Sequence, residues 1–591
     1  MPPSAQALNV TATTGGFLLV LSIVIPVAGV LLVVVLGERH VRLIAGAVIL
    51  FGLAIAAAIL VVLPHGAGPI VYLLGNWPPP LGIALRADGL SAVMLAAAAV
   101  VICVVAVFAA ADFSPAAAGT RASLAFWILV LAIWGALNTI FLAGDLFTLY
   151  VALELLTFAA VPLVSLDGRA ETLRAALQYL LFALLGSVLY LLGTALLYGR
   201  HGTLDMLLLS RRISAEPAEF VAAALMTAGL LAKTALFPMH LWLPPAHAGA
   251  PAPASAILSG LVVKGSFFII VRLWFSVMPA LPGFAFTQLL AVLGAAAIVF
   301  GSIVALRQER LKLLIAYSTL AQIGYLFLMF PLAFTSGRLE NGGALAGGLV
   351  QAVSHATAKA AMFMAAGSIY AALGQDRISG LRGVGRILPV SVLAFALSGL
   401  ALMGLPPSGA YLAKELLLQA AAEKGQWWWT VMLQAAGILT GAYVILVLAH
   451  ALPATNQHAD RNGAPPRIRE IAALALALCS LLLGLVPWQA YLPIPNDASL
   501  DKFSLEALSK ALTIILGGAV VAIWLGRWER PSGHLAQWKA LTVAVSAIRR
   551  TGLALSALFE RCDNALRQWP TACISLLTLS VLFGASMLLA F

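Results

Sequence analysis

The sequence predicts an all-α polytopic membrane protein, and three observations support this fold class. Of the 591 residues, 62% are hydrophobic and only 10% are charged, whereas a typical soluble domain carries roughly 25% charged residues. The mean hydropathy is +1.01. Apolar runs of about 20 residues, the length of a membrane-spanning helix, recur from Gly16 to the C-terminus. The sequence lacks the period-2 alternation of a membrane barrel, so we expect the spans to be helices.

The apolar runs predict about sixteen transmembrane helices with no soluble domain between them. Their approximate bounds are 16–36, 41–63, 88–111, 122–143, 146–166, 172–198, 219–243, 252–275, 285–306, 311–333, 343–371, 387–419, 427–452, 468–490, 509–526 and 571–590.

Prolines mark two of these spans as broken helices. Pro238 interrupts the seventh span, and Pro406 and Pro407 interrupt the twelfth. Proline removes a helix hydrogen bond, which transporters tolerate where the backbone lines a wet cavity. Broken helices at corresponding positions of two halves are typical of inverted-repeat transporters. We therefore expect three N-terminal helices in residues 1–121 and two inverted five-helix repeats in residues 122–275 and 285–452. Two further helices follow in residues 453–526, then an amphipathic helix in residues 527–570 and a last span in residues 571–591.

The segment before the last span has an amphipathic pattern. Large apolar residues recur at helical spacing from Trp538 to Trp569, with Lys and Arg residues between them. This pattern predicts a helix that lies along the cytoplasmic interface or on a partner. A short folded connector is the alternative.

Charge and cysteine usage limit the function classes. With the N-terminus outside, most Lys and Arg residues fall in cytoplasmic segments of a bacterial-type inner membrane. The net charge of +11 therefore requires no nucleic acid partner. Residues 1–16 contain no Lys or Arg, unlike a cleaved signal peptide. The four cysteines form no metal-binding motif, and no phosphate-binding loop is present. We expect no cofactor, metal or catalytic site in this chain.

Among the ionisable residues inside the predicted spans, six are the candidate functional residues, whereas Arg272 lies near a span end and is expected to be an anchor. A charge in hydrocarbon costs several kcal/mol, so such residues are functional candidates by default. His355 and Lys359 are four residues apart and share one helix face. For each residue a structural role, as an ion-pair partner, a helix cross-link or a snorkelling side chain, remains the alternative. The six are Glu154, Lys233, Lys264, His355, Lys359 and Lys414.

These residue types suit proton transfer. A carboxylate that approaches or leaves a buried lysine changes the affinity of that lysine for a proton. Histidine exchanges protons near neutral pH with little further tuning. A file of such groups can pass protons, whereas one isolated pair is static. Sodium sites prefer oxygen ligands, which argues against a sodium path through this chain alone.

Four segments resemble one known family. The segment LLAKTALFPMHLWLPPAHAGAPAPASAILSGLVVKGSFFIIVRL is similar to the seventh and eighth helices of the antiporter-like subunits. The segments RLKLLIAYSTLAQIGYLFL, SHATAKAAMF and GLPPSGAYLAKELLL resemble the tenth to twelfth helices of that family. The family comprises the large proton-pumping subunits of respiratory complex I, the Mrp cation/proton antiporters and the membrane-bound hydrogenases. The resemblance covers roughly residues 88–450.

The resemblance implies a role for five of the candidates. Glu154 and Lys233 match the family's Glu–Lys pair on the fifth and seventh helices. Lys264 matches the connecting residue of the eighth helix and His355 the central histidine of the eleventh. Lys414 matches the terminal residue of the twelfth helix. Protons would then pass along a hydrophilic axis between two half-channels.

The leading hypothesis is that this chain is a proton-translocating subunit in a lipid bilayer. It would work with other membrane subunits of a NADH:quinone oxidoreductase-like, Mrp or hydrogenase complex. The amphipathic helix resembles the lateral helix of the terminal complex I subunit but is shorter. The first alternative is a Na⁺/H⁺ antiporter, with Na⁺ or K⁺ moved by the complex. The others are a membrane coupling subunit of an inorganic-carbon uptake module and a scaffold without conduction.

Overall fold

The computed structural model describes residues 11–66, 68–113, 120–335, 338–339, 342–453, 465–494, 505–525, 539–566 and 569–588. Within these ranges the chain is a bundle of helices with two short antiparallel hairpins, which confirms the predicted all-α class. The hairpins pair β1 with β2 and β3 with β4, which cover Ile70–Leu73, Ala84–Ala87, Phe334–Thr335 and Arg338–Leu339.

The first half of the bundle contains helices α1 to α8. In chain order they are α1 Phe17–Leu36, α2 Val41–Val62, α3 Gly89–Asp112, α4 Thr120–Leu142, α5 Leu146–Val164, α6 Ala170–His201, α7a Pro217–Thr234, α7b Leu243–Gly249 and α8 Ala252–Val277. Two π-helical turns, Leu258–Val262 and Leu273–Val277, lie inside α8.

The second half contains helices α9 to α17. They are α9 Phe284–Arg307, α10 Leu311–Phe327, α11 Gly342–Leu373, α12a Pro389–Leu402, α12b Gly409–Glu423, α13 Trp427–Ala451, α14 Arg467–Leu482, α15 Leu505–Leu525, α16 Lys539–Leu566 and α17 Trp569–Leu588. Short helical turns occupy Met206–Ser210, Met329–Ala333 and Val384–Ile387.

Thirteen helices among the described residues are long and apolar enough to cross a membrane. The broken helices α7 and α12 and the last helix α17 are outside that set, because each of their continuous apolar segments is short. The chain is therefore a multi-pass membrane protein. The count of sixteen spans and the inverted repeats remain predictions.

Both predicted breaks coincide with interruptions of helical geometry. Helix α7a ends at Ala235, which adopts a left-handed conformation with φ 59°, and Pro238 follows in the non-helical segment. The Trp242 indole donates to the carbonyl of Ala232 at 3.0 Å, which pairs one of the carbonyls at the end of α7a. In the second break Gly404 has φ 75° and precedes Pro406 and Pro407.

Helices α8, α10 and α11 form the centre of the bundle. Nearly all of their apolar residues are buried, whereas most of α1 and α15 faces outward. The loops 165–169, 308–310 and 374–388 meet at one end of the bundle, where Arg310 contacts Asp376 at 3.0 Å. We call this end the basic face, since most of the loop Arg residues lie on it. The other end, which carries β1 and β2, is the opposite face.

Helix α16 lies within the predicted amphipathic segment and packs on the basic face. The Phe559 ring lies 5.7 Å from the Phe300 ring of α9, and Arg307 donates to Glu560 at 3.1 Å. Residues 527–538 and 567–568 of the predicted segment lie outside the described residues. The helix is therefore fixed to the body of the bundle by both apolar and charged contacts.

Candidate functional site

Glu154 of α5 and Lys233 of α7a form a buried ion pair. The ammonium of Lys233 lies 2.9 Å from Glu154 Oε1, and it also donates to Thr157 Oγ1 at 2.9 Å. The Ser187 hydroxyl of α6 donates to the same Glu154 oxygen. The side chain of Lys233 is only 5% exposed. This small polar cluster joins the three helices α5, α6 and α7a.

Two glycines allow α6 and α7a to approach closely at this pair. A Cβ on Gly186 would lie 2.5 Å from the carbonyl oxygen of Gly229 and 3.2 Å from Lys233 Cγ. A Cβ on Gly229 would in turn overlap the Gly186 carbonyl. Small residues let membrane helices pack at short distance, and here the contact sets the position of Lys233.

Lys264 lies at the centre of the bundle on α8. It is 1% exposed, and its ammonium donates to the carbonyl of Ser259 at 2.5 Å. Ser259 belongs to the π-helical turn of α8, where the wider turn redirects backbone carbonyls. The Ser259 hydroxyl bonds Thr319 Oγ1 of α10 at 2.9 Å. The π turn thus supplies the polar partner that a buried lysine needs.

Two fully buried histidines lie beside Lys264. His355 of α11 and His247 of α7b are both 0% exposed, and none of their ring nitrogens has a hydrogen-bond partner among the described residues. Each interacts electrostatically with Lys264 and Lys359. The His247 ring stacks on Phe363 with a centroid distance of 5.1 Å. Unpaired ring nitrogens between two lysines can accept and pass a proton.

Lys359 continues the row of buried cations on α11. Its ammonium donates to the Ser318 hydroxyl and to the Ile315 carbonyl, the latter at 3.4 Å. It also lies 5.8 Å from the centroid of the Tyr443 ring. One helical turn separates Lys359 from His355, so both face α10 and α8 as the i, i+4 spacing predicts.

An uncharged polar chain extends from this row toward α13. Gln351 donates to Gln322 Oε1 at 2.9 Å. Gln322 donates in turn to Thr440 Oγ1 at 3.1 Å and to Tyr443 OH at 3.5 Å. Both glutamines are buried. Because buried amides are costly unless paired, this chain is a continuous polar connection through an otherwise apolar core.

Lys414 of α12b lies beyond that chain. It is 3% exposed, and its ammonium lies 3.3 Å from the position of a Cβ on Gly437 of α13. The next residue, Glu415, pairs with Lys510 of α15 at 3.2 Å. An acid–base pair therefore flanks Lys414 at the end of the row.

The structure places the six predicted residues in three groups of contacts. Glu154 pairs with Lys233, Lys264, His355 and Lys359 interact with one another and with His247, and Lys414 lies beside Gly437 of α13. We call these seven residues together the buried axis; that they form one continuous proton path remains a prediction. Pro238, Pro406 and Pro407 lie in the breaks of α7 and α12 and contribute no polar side chain. Sequence reasoning missed His247, Gln322 and Gln351. For His247 the usable signal is its place just after the Pro238 break.

Among the described residues, no group of three or more His, Cys, Asp or Glu side chains is arranged to hold a metal ion.

An ion pair closes the opposite face. Arg272 donates to both oxygens of Asp88 at 2.5 Å and to the Ser91 hydroxyl at 2.8 Å. Burial raises the pKa of Asp88, but the charge and hydrogen bonds of Arg272 outweigh it, so the net pKa is lowered. Asp88 also caps α3, accepting from the Ser91 backbone at 3.0 Å.

On the basic face, Asp563 of α16 connects two parts of the bundle. Its carboxylate accepts from Tyr317 of α10 at 2.5 Å and lies 3.2 Å from His240 Nε2 in the α7 break. Asp563 is 5% exposed and His240 is 0% exposed. The amphipathic helix is thereby tied to the broken helix that carries Lys233.

Broken helices and a buried row of Lys, Glu and His residues define an ion-translocating membrane protein of the antiporter-like class. Residues 143–440 match the family described as NADH:quinone oxidoreductase/Mrp antiporter, TM, and the chain belongs to it. It is 32% identical to NADH-quinone oxidoreductase subunit N of Desulforudis audaxviator (strain MP104C), over 73% of this chain and 89% of that protein.

Two further likenesses lie on the antiporter side of the family. The chain is 27% identical to the D-type subunit of the Na(+)/H(+) antiporter of Alkalihalophilus pseudofirmus, over 76% of this chain and 89% of that protein. A solved structure of the Mrp complex from Dietzia sp. DQ12-45-1b aligns with a TM-score of 0.71 at 23% identity. That alignment covers 91% of this chain and 100% of the solved one. This chain therefore shares its fold with a chain of that Mrp complex.

Proposed function

We propose that the buried axis carries protons through this chain, and that the chain is a membrane subunit of a complex I-like or Mrp-type assembly. Its relatives are named as subunits, which supports partner subunits in the membrane. The excess of basic loops on one face supports an N-terminus outside a bacterial plasma membrane.

The observation that carries the proposal is the buried Glu154–Lys233 pair at 2.9 Å. A static structural pair would require no further buried titratable residues. The same bundle also buries Lys264, His355, Lys359 and Lys414. Each of these groups is costly in an apolar core, which supports a shared role in proton transfer.

A second candidate is cation/proton exchange, favoured by the likeness to a Na(+)/H(+) antiporter protein. In that case the chain would still move the proton, and another protein of the complex would move the cation. The described residues offer cationic side chains along the axis instead of the oxygen ligands that Na⁺ prefers.

The test compares proton flux in membrane vesicles that contain the whole complex, for the wild type, Lys233→Ala and Glu154→Gln. We expect both variants to lose at least about tenfold in flux. Arg211→Ala is the matched control, because Arg211 is a basic residue exposed on the opposite face, away from the axis. Wild-type flux in a fully assembled Lys233→Ala complex would show that protons bypass the axis.

The ion specificity is tested in the same vesicles. Flux that requires Na⁺ in wild type would support the exchanger, and flux that is independent of Na⁺ would support the complex I-like role. In either case, the proton flux of the Lys233→Ala variant shows whether protons use the buried axis.

A further inference from the structure

A polar cavity opens on the basic face next to the buried axis. We call it the vestibule; its volume is about 340 Å³. The backbone of residues 248–252, between α7b and α8, forms one wall. Residues of α11 and charged side chains from several other elements form the rest, including Arg169, Asp376 and Lys312. The vestibule thus reaches from the loops of the basic face to the segment that follows His247.

Lys312 occupies the inner wall of the vestibule. It belongs to the first turn of α10 and is 9% exposed. Its ammonium donates to the carbonyl of Ala250, three residues after His247. From sequence this lysine falls at the edge of a basic loop; in the fold its side chain points inward and bonds the backbone of the broken-helix region.

Lys312 lines the vestibule and is within electrostatic reach of His247. His247 has two buried ring nitrogens without a partner among the described residues. The charge of Lys312 acts on His247, as do those of Lys264 and Lys359. The carbonyl of His247 is held by the Ser255 hydroxyl at 3.0 Å, which fixes the chain beside Ala250.

We propose that Lys312 is a gating residue that passes protons from the vestibule to His247, and so to the buried axis. This inference rests on the proposed function and adds where on the basic face protons are taken up. The proton leaves water in the vestibule, resides on the Lys312 amine and moves to a ring nitrogen of His247. The Ala250 carbonyl holds the ammonium between transfers.

Several charges face Lys312 and set its environment. Asp376 of the α11–α12 loop and Asp167 of the α5–α6 loop favour the ammonium, whereas Arg310 and Arg169 oppose it. Arg310 is itself paired with Asp376 at 3.0 Å. The vestibule therefore attracts protons through carboxylates without accumulating a large net charge.

The test measures proton flux of the whole complex in vesicles while the pH on the basic face is varied. We expect Lys312→Met to lower flux at least about tenfold at about pH 8 and less at about pH 6, because a higher proton concentration compensates for the lost relay. Lys312→Arg keeps the charge and the hydrogen bond but cannot release its proton. Its flux should fall as much as that of Lys312→Met.

Arg386 is an exposed basic residue on the same face outside the vestibule. The proton flux of Arg386→Ala should equal that of the wild type. A Lys312→Met flux equal to wild type, with Lys233→Ala inactive, would refute the gate and leave the proposed function standing. A loss of equal size at every pH, or full activity of Lys312→Arg, would reduce Lys312 to a structural residue and also refute the gate. Activity in Lys233→Ala would refute the proposed function, and the gate with it.

Discussion

A Cβ atom on Gly186 of α6 would lie 2.5 Å from the carbonyl oxygen of Gly229 of α7a, closer than packed atoms allow. The same Cβ would lie 3.2 Å from Lys233 Cγ. The backbone contact between these helices therefore determines where Lys233 stands relative to Glu154. Glycine is required at this point by space, since the backbone is helical on both sides.

Gly186→Ala should separate α6 from α7a and lower both stability and flux. Inserting a methyl group into a packed interface costs typically about 1–3 kcal/mol, and the shift would lengthen the Glu154–Lys233 bond. Thermal unfolding in detergent and vesicle flux would measure the two effects. Gly199→Ala on the same helix is the control, because a Cβ there meets nothing within 4 Å. We expect this variant to raise the free energy of unfolding by about 0.5–1 kcal/mol. Equal behaviour of the two variants would contradict the packing argument.

The sequence is sufficient to predict the helical membrane class and the charged members of the buried axis, since a charge inside an apolar run stands out by composition. Lys233 and Lys359 are such residues, and both are buried. Gln322 and Gln351 are harder to recognise because an amide is uncharged, so the cost of burying a charge in hydrocarbon does not mark it as functional. Their importance depends on pairing between α10 and α11, which no local pattern encodes.

Long-range partners are equally inaccessible from the sequence. Asp88 and Arg272 are 184 residues apart in the chain, and only the packing of α3 beside α8 brings them together. Lys312 has the sequence context of a loop residue because Arg310 and Arg307 precede it, although α10 turns its side chain inward. His247 follows two prolines in PPAHAGAP, a composition typical of a loop.

The Asp88–Arg272 pair predicts how stability depends on pH. The pKa of folded Asp88 lies below its ordinary value of 3.8, so the pair stabilises the protein above about pH 4 and this contribution is lost as the pH falls through the folded pKa. Asp88→Asn should therefore lower the unfolding temperature at neutral pH. Asparagine caps a helix as well as aspartate does, so the variant isolates the ion pair.

Unfolding temperatures of wild type and Asp88→Asn should converge as the pH is lowered below about 4. The control is Asp167→Asn, a carboxylate on a basic-face loop. Burial raises the pKa of Asp167, but hydrogen bonds from Thr172 and Arg169 together outweigh burial, so its net pKa is also lowered. Its pair with Arg169 is exposed, and exposed pairs contribute little. A temperature difference for Asp88→Asn that is constant with pH would rule out the ion pair as its cause.

Asp563 should control the attachment of α16 to the bundle. Its carboxylate bonds Tyr317 at 2.5 Å and His240 at 3.2 Å, and hydrogen bonds to a charged group contribute about 1.5–3 kcal/mol each. Asp563→Ala should release the last turns of α16 and raise the rate at which a protease cleaves between α15 and α17. Asn564→Ala, a change at an exposed neighbour, should leave the cleavage rate unchanged. The same rate for both variants would mean that apolar contacts such as Phe559–Phe300 suffice.

Gln322 should be required for communication between the two ends of the buried axis. It accepts from Gln351 and donates to Thr440, so it is the one described side chain that bonds both α11 and α13 in this chain of amides. Gln322→Met preserves the side-chain shape but removes both bonds and leaves the Gln351 amide unpaired, which costs about 1–3 kcal/mol. We expect flux to fall at least about tenfold, with the complex still assembled.

The control for Gln322→Met is Gln308→Met at the end of α9, where the amide bonds only the Val304 carbonyl of its own helix at 3.1 Å. Gln322→Glu is a second test variant, because its carboxylate can still accept a hydrogen bond from Gln351 and can itself carry a proton. Its flux should exceed that of Gln322→Met. If Gln322→Met conducts as well as Gln308→Met, the hydrogen-bonded amides are not part of the proton path.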